Sequence, residues 1–484
     1  MTFVRELEPT SLWRHFDRIL TIPLGSKSEE EMRRYVISVA TAAGCEHRTD
    51  AAGNVVVNKP AAAGRESAAP IILQAHLDMV NEKNSDVDHD WSKDPIVPRR
   101  EGDWVTAQGT TLGSDNGIGV AAMLAVLEAD DVAHGPLELL FTIDEETGLT
   151  GAANLDATLL SGRLLFNLDS EEEGTLTVGC AGGADSDLQL ALDTTACEPQ
   201  SCALEVKLAG LKGGHSGVDI HLQRGNAVKL LARALGAARR SGAFRIASFG
   251  GGNLHNAIPR EATATLVAAA ADCAAVEEAV GAELEAIAAE FRPAEPSLGF
   301  EIESIGTPEE AWTEETTKQA LALVDALPHG VLSMSYDIAG LVETSTNLAT
   351  VKEGDGQLAI GMSSRSSVAS ALAALRHRIR SIGELAGCRI SEGNGYPGWQ
   401  PDLDSAVLAV LRHTSERVLG REPEVGAVHA GLECGIIGEM CPGMDMISFG
   451  PTIEFPHSPD ERVHVESVAR FYELLTVSLE ELAA

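Results

Sequence analysis

PIILQAHLDMV, residues 70–80, reads as a buried strand that runs into chemistry. Ile71, Ile72 and Leu73 form an apolar run, and His76 and Asp78 follow it two positions apart. On an extended chain those two side chains face the same way. An imidazole beside a carboxylate is what a metal-ligating histidine and its orienting partner need. A lone histidine is more often a satisfied polar group than a ligand. Here three later apolar strands also end in carboxylates or a histidine, which gives the pattern its weight.

Residues 137–143 are a second apolar strand, ending in Asp144, Glu145 and Glu146. Residues 164–168 are a third, ending in Asp169, and 446–449 are a last one whose outgoing loop holds His457. The stretch LGSDNGIGVAAMLAVLEAD, 112–130, sets Asp115 in a glycine-flanked turn just before an apolar helix. Upstream, 10–21 is an amphipathic helix, and Ser28 with Glu31 forms a capping box for a second one that Gly44 closes. Strands alternating with helices predict an α/β sheet with parallel segments. In such sheets ligands collect beyond the carboxyl ends of the strands.

Beyond about residue 186 the pattern becomes α+β and antiparallel. Two successive sets of strand and helix signals suggest a doubled unit, and GNGYPG at 393–398 reads as the return linker. The expected organisation is a catalytic domain in two pieces, 1–185 and 395–484, with 186–394 inserted between them.

The 484 residues carry a formal charge of −36, so nothing is available to neutralise phosphates. That argues against nucleic acid or an anionic membrane as partner. No apolar run reaches the ~18–20 residues of a membrane span, and the first residues lack the basic start and apolar core of a secretory signal. The eight cysteines are scattered without a CxxC and read as free thiols in a reducing cytoplasm.

His76, Asp115, Glu146, Asp169 and His457 together are a mixed nitrogen and oxygen set suited to zinc or similar borderline metals. Five ligands are too many for one open tetrahedral site. They fit two cations, ~3.5–4 Å apart, if one carboxylate bridges. Glu145, beside the ligand Glu146, is placed to take a proton from water and pass it to a leaving amine. Asp78 would hold His76 in the required tautomer. Glu171 to Glu173 read as a charged surface loop, and the glycines of FGGGN at 249–253 as a turn.

The segments HLD, SDNG, DEETG, NLDSEE and FPHSP, in that order, resemble the dinuclear zinc peptidase family. GGHSG at 213–217, HNAIP at 255–259 and HAGLECG at 429–435 are similar to its aminoacyl-histidine dipeptidase branch. The resemblance covers nearly the whole chain. It implies a mixed sheet flanked by helices with an inserted α+β lid. His76 and Asp169 would bind one Zn2+, Glu146 and His457 the other, and Asp115 would bridge them; Mn2+ or Co2+ would accept the same ligands. It also implies a cis peptide at Asp115–Asn116. His215 of the lid would polarise the scissile carbonyl, Asn256 and Arg365 would grip the substrate carboxylate, and Glu433 would face a free substrate amine. The implied activity is hydrolysis of unblocked dipeptides, Xaa-His and β-alanyl-histidine among them, with metal-bound hydroxide as nucleophile and Glu145 as base. The alternative is an N-acyl amino acid amidohydrolase or carboxypeptidase using the same site. A cytoplasmic homodimer is the expected form.

Overall fold

The computed structural model describes residues 2–484. The chain forms two compact units. The first runs up to Cys180 and resumes as Trp399–Ala427 and Leu432–Ala484; the second is Ala181–Gly398 with Val428–Gly431.

The first unit is built on an eight-stranded sheet. Its strands are β1 (Glu46–Thr49), β2 (Val55–Lys59), β3 (Ile71–His76), β4 (Leu137–Thr142), β5 (Leu164–Asn167), β6 (Thr175–Cys180), β7 (Glu424–Val428) and β8 (Asp445–Ser448). Their spatial order is β1-β2-β4-β3-β5-β8-β6-β7. The four central strands are parallel, with Ile71 opposite Leu137 and Leu164, and Asp445 opposite Leu164. β3 and β4 are buried along their whole length, as strands covered on both faces must be. Their carboxyl ends therefore open on one edge, and the loops leaving that edge carry the polar residues of the sequence motifs.

Three helices set that edge. α1 (Thr10–Ile19) buries Leu12, Trp13, Phe16 and Ile19. α2 (Glu30–Ala42) buries Met32, Val36, Val39 and Ala40, and closes through Gly44 at φ 70°. The capping box expected from Ser28 and Glu31 is absent, because the helix starts one residue later than a Ser28 cap would set, with Glu29 at its N-cap. Glu29 instead accepts from the backbone N–H groups of Lys27 (2.8 Å) and Asp144 (3.1 Å). α3 (Ser114–Glu128) is apolar all round and buried from Asn116 to Leu127, the mark of a central helix. The Asp115–Asn116 peptide at its start is cis.

Glycine at 119 is required by close approach. A Cβ there would lie 2.6 Å from the backbone oxygen of Leu168, one residue before Asp169. We expect Gly119→Ala to cost about 1–3 kcal/mol, the usual range for overpacking a tight contact. Chemical denaturation checks this, and an unchanged midpoint would mean that α3 does not press on the β5 exit loop.

The second unit holds a nine-stranded sheet. Its path runs Gly299–Ile305, Ser201–Ala209, Ala262–Ala269, Arg245–Gly251, Val342–Gly354, Gln357–Ser366, Gly182–Ala191 and Arg389–Glu392, with Gly330–Met334 also pairing to Val342–Gly354. All these pairings are antiparallel. Its main apolar core is formed with the helices Ala227–Ala238 and Cys273–Phe291 among others, and two small clusters, around Ala203 and Ile220, lie apart from it. The glycines of 249–253 end the strand Arg245–Gly251 and turn at Gly252, φ 74°.

One cysteine expectation needs correcting. Cys202 and Cys273 form a disulfide that ties the strand Ser201–Ala209 to the helix Cys273–Phe291. Their separation of 71 positions leaves no local sequence signal for the pairing. The other six cysteines are free thiols, with Cys180, Cys434 and Cys441 buried.

Candidate metal centre

The strand-end residues of the first unit come together. His76 closes β3 and is 2% exposed. Its Nε2 lies 3.1 Å from Asp115 Oδ1 and 3.2 Å from Asp169 Oδ1. Its Nδ1 faces the backbone oxygen of Asp78 at 3.1 Å and the Asp78 carboxylate at 3.4 Å. Both partners are acceptors, so Nδ1 carries a hydrogen and Nε2 is the nitrogen turned toward Asp115 and Asp169. On the other side, His457 Nε2 lies 3.1 Å from Asp115 Oδ2 and 3.0 Å from Glu146 Oε2. Asp115 thus turns one oxygen to each imidazole. Two groups of ligand atoms result, His76–Asp115–Asp169 and Asp115–Glu146–His457, each within 4.8 Å.

Backbone geometry explains how distant residues meet. Asp78 is fully buried and accepts from the N–H groups of Glu145 (3.0 Å) and Glu146 (3.2 Å), and from the Ser26 hydroxyl (2.8 Å). One carboxylate therefore orients His76 and also holds the β4 exit loop. Asn116 Nδ2 donates to the Leu168 carbonyl (3.1 Å) and to Asp169 Oδ1, fixing the β5 exit. His457 sits at φ 59° in the loop between the strands Ile453–Glu454 and Arg462–His464, and its side chain is 49% exposed.

Burial alone would lower the pKa of His76, but Asp169, Asp115 and Asp78 together raise it well above 6.5. Hydrogen bonds to Asp115 and Glu146 push His457 up to about 11, against its burial. Burial lifts the Glu145 carboxyl well above the usual range; His76 opposes this, while Asp169, Glu433 and Glu146 add to it.

Glu171, read from sequence as part of a surface loop, belongs to this cluster. Burial, then the negative charges of Asp115 and Asp169, push it up to about 8, and it bonds to the Asp115 side chain. Its neighbour Glu173 does meet solvent-side partners, pairing with Arg470 at 2.7 Å. Nothing local separates the two in sequence; only the tertiary position of Asp115 does.

Glu433 lies beneath this cluster, on the side of the central strands. It has no exposed surface, and its Oε2 accepts from Gln74 Nε2 and Thr142 Oγ1, both at 2.7 Å. Asn167 Nδ2 donates in turn to Gln74 Oε1 at 2.6 Å. Burial raises the Glu433 carboxyl to about 8. A residue seated in this network across β3, β4 and β5 braces the strands through Oε2, while its buried Oε1 has no hydrogen-bond partner.

In the second unit, His215 Nδ1 accepts from the backbone N–H groups of Gly217 (3.3 Å) and Val218 (3.1 Å), leaving Nε2 for other work. Burial and the nearby Arg365 charge lower its pKa. The Asn256 carbonyl accepts from Ser216 N at 2.8 Å, so the GGHSG and HNAIP segments lie side by side. Arg365 is 7% exposed, donates from Nη1 to the Tyr396 hydroxyl at 2.8 Å, and keeps Nε without a partner. His429, which has no role in the sequence reading, joins this group. Its Nε2 pairs with Ser345 Oγ at 2.7 Å, its buried Nδ1 is unpartnered, and burial then Arg365 lower its pKa to about 4. Gly217 must lack a side chain, since a Cβ would lie 2.3 Å from the His429 carbonyl.

Comparison with known proteins fits this arrangement. The sequence pattern of peptidase family M20/M25/M40 matches residues 72–481. The chain is 43% identical over 484 residues, all of both chains, to the cytosol non-specific dipeptidase of Escherichia coli (strain K12). It superposes on the crystal structure of aminoacylhistidine dipeptidase from Vibrio alginolyticus with a TM-score of 0.93 and 42% identity, covering 99% of this chain and 98% of that one. An aminopeptidase from Bacillus cereus shares the fold at a TM-score of 0.58 and 17% identity, over 99% of this chain and 100% of that one. Matched over that length and at that identity, the chain belongs to peptidase family M20/M25/M40, whose members hydrolyse peptide bonds.

Proposed function

We propose that this peptidase is a dinuclear metallo-dipeptidase acting on unblocked dipeptides. The observation that carries the reading is Asp115, which turns one carboxylate oxygen to each of two imidazoles at 3.1 Å. The donor set fits a pair of borderline divalent cations: two imidazoles, two terminal carboxylates and one that bridges. Glu146 Oε1 is buried without a partner, as an atom reserved for a cation would be. His76 and Asp169 would hold one cation, Glu146 and His457 the other, and Asp115 both; zinc suits these ligands best, with Mn2+ or Co2+ as substitutes. Bound there, the cations would supply Lewis acidity, drawing the pKa of water down toward neutrality and polarising a carbonyl.

Glu145 would take a proton from the attacking water and hand it to the departing amine. Its raised pKa suits a group that must both accept and donate near neutral pH. Asp78 would keep His76 in its ligating tautomer. His215 would direct its free Nε2 to the oxygen of the scissile carbonyl. Asn256 and Arg365 would hold the substrate carboxylate, for which the guanidinium offers a fork of donors.

The full-length relative named a cytosol non-specific dipeptidase supports dipeptides as substrates and the cytoplasm as location. The structural relative named an aminoacylhistidine dipeptidase supports Xaa-His and β-alanyl-histidine among them. Leu332, Met334 and Tyr336 are exposed on and just after the strand Gly330–Met334, which supports pairing with a second copy.

A panel of free dipeptides and their N-acetylated forms, assayed before and after chelation, tests the reading. Expected are turnover of the free dipeptides only, its loss on chelation, its return with Zn2+, and a solution mass twice 50.9 kDa. Preference for N-acetylated substrates would move the assignment to an acyl-amino-acid hydrolase. Turnover that survives complete metal removal would refute the mechanism, and a monomer at assay concentration would refute the pairing.

A further inference from the structure

The first turn of α3 lacks the side chain that normally closes a helix start. Its N-cap is Gly113, at φ 73°, which has no group to offer the free N–H groups. The missing acceptor comes from 348 positions away. Glu461 Oε2 accepts from Leu112 N (2.8 Å) and Gly113 N (3.0 Å), and its Oε1 accepts from Ser114 N (2.7 Å), Ser114 Oγ (2.5 Å) and Asp115 N (3.4 Å). The carboxylate is 2% exposed. Its own backbone is pinned as well, since Glu461 O accepts from Thr106 Oγ1 at 2.8 Å and Glu461 N donates to Ser458 O at 3.0 Å.

Those contacts join two loops that both feed the metal centre. Asp115 is the residue after Ser114, and His457 lies four positions before Glu461. His457 stands on a partly exposed loop whose backbone is left-handed at Phe455 and His457. His76 and Asp169, by contrast, leave the ends of buried central strands. The loop that most needs an anchor is therefore the one Glu461 ties to the turn carrying Asp115.

We infer that Glu461 is a positioning residue of the metal centre: its buried carboxylate clamps the His457 loop to the N-terminus of α3 and so sets the spacing of His457 and Asp115. The inference rests on the reading of those two residues as ligands. A helix cap alone would not need to come from this loop. A residue acting through its neighbours in this way usually changes metal affinity about 10–100-fold when replaced. Glu461→Gln keeps the size but turns an amide NH2 toward backbone N–H groups that need an acceptor. Its effect falls on the cation held by His457 and Glu146, because the strand-end ligands of the other cation keep their supports.

Chelator-stripped wild type, Glu461→Gln and Ser114→Ala are titrated with Co2+, followed by calorimetry and the visible ligand-field spectrum. Wild type should take two cations. Glu461→Gln should take one with unchanged affinity and the second about 10–100-fold more weakly. Ser114→Ala, which removes only the hydroxyl donor, should weaken the same cation by less. General destabilisation would not separate the two cations. Wild-type affinity for both in Glu461→Gln, or equal weakening of both, overturns the inference while leaving the dinuclear reading intact. If Glu461→Gln does not fold, wild-type titration by Ser114→Ala overturns it. Failure of wild type itself to take two cations would instead sink the dinuclear reading, and the inference with it.

Discussion

Glu145→Gln is expected to lower kcat by about 10²–10⁴-fold while KM and metal content stay near wild type. The substitution keeps the shape of the side chain and removes only its capacity to accept a proton. Glu145 lies with His76 and Glu146 in a group of ligand atoms within 4.8 Å, yet its neighbour Glu146, not Glu145, contacts His457. The two residues are aimed differently because both backbone N–H groups are held by the single carboxylate of Asp78, and Asp144 before them is in the left-handed region at φ 50°. Burial and three nearby carboxylates then raise the Glu145 pKa, which favours a proton carrier over a permanent anion. Steady-state kinetics on a free dipeptide, paired with metal analysis of the same sample, separates the roles. Retained kcat would remove Glu145 as the base. Loss of metal together with kcat would make it a ligand.

The parallel core of the first unit was legible because its strands announce themselves. Apolar runs ending in His76, Glu146 and Asp169 combine a local signal, strand propensity, with a topological rule that puts such ends on one edge. The groups that sequence leaves unread share one property: their partners are remote. Glu461 looks like any solvated acid after FPHSP, and only the folded chain brings it to Ser114. Glu171 and Glu173 are indistinguishable in a run of three glutamates, yet one bonds to Asp115 and the other pairs with Arg470. Glu433 sits inside a motif, and the motif does not say which way its side chain is directed. The strand Gly182–Ala191 also escapes a periodicity reading, because it begins with glycines and alternates only from Ala184 onward.

Cation binding should release protons and strengthen as pH rises. In the metal-free site the imidazoles of His76 and His457 are each pressed between carboxylates, and both hold their protons well above pH 7. An imidazolium has no lone pair to give, so cations bound as proposed would each have to displace a proton from a histidine. The sign follows directly. The protonated form is the competitor of the metal-bound form, so raising pH below the raised pKa values favours binding and lowering it expels the cations. At pH 7 at least two protons should leave per pair of cations bound, about one from each imidazole, and apparent affinity should rise about tenfold per pH unit for each proton released. Glu171 and Glu433, raised to about 8, would add to the release and not oppose it. Calorimetric titration of the stripped protein in two buffers of different ionisation enthalpy counts the protons. His457→Gln should cut the count by about one, since its amide carries no proton to displace. A count near zero, or an affinity flat between about pH 6 and 8, would mean that the imidazoles are neutral before metal arrives. The carboxylates around them would then not hold the imidazoles protonated in the metal-free site.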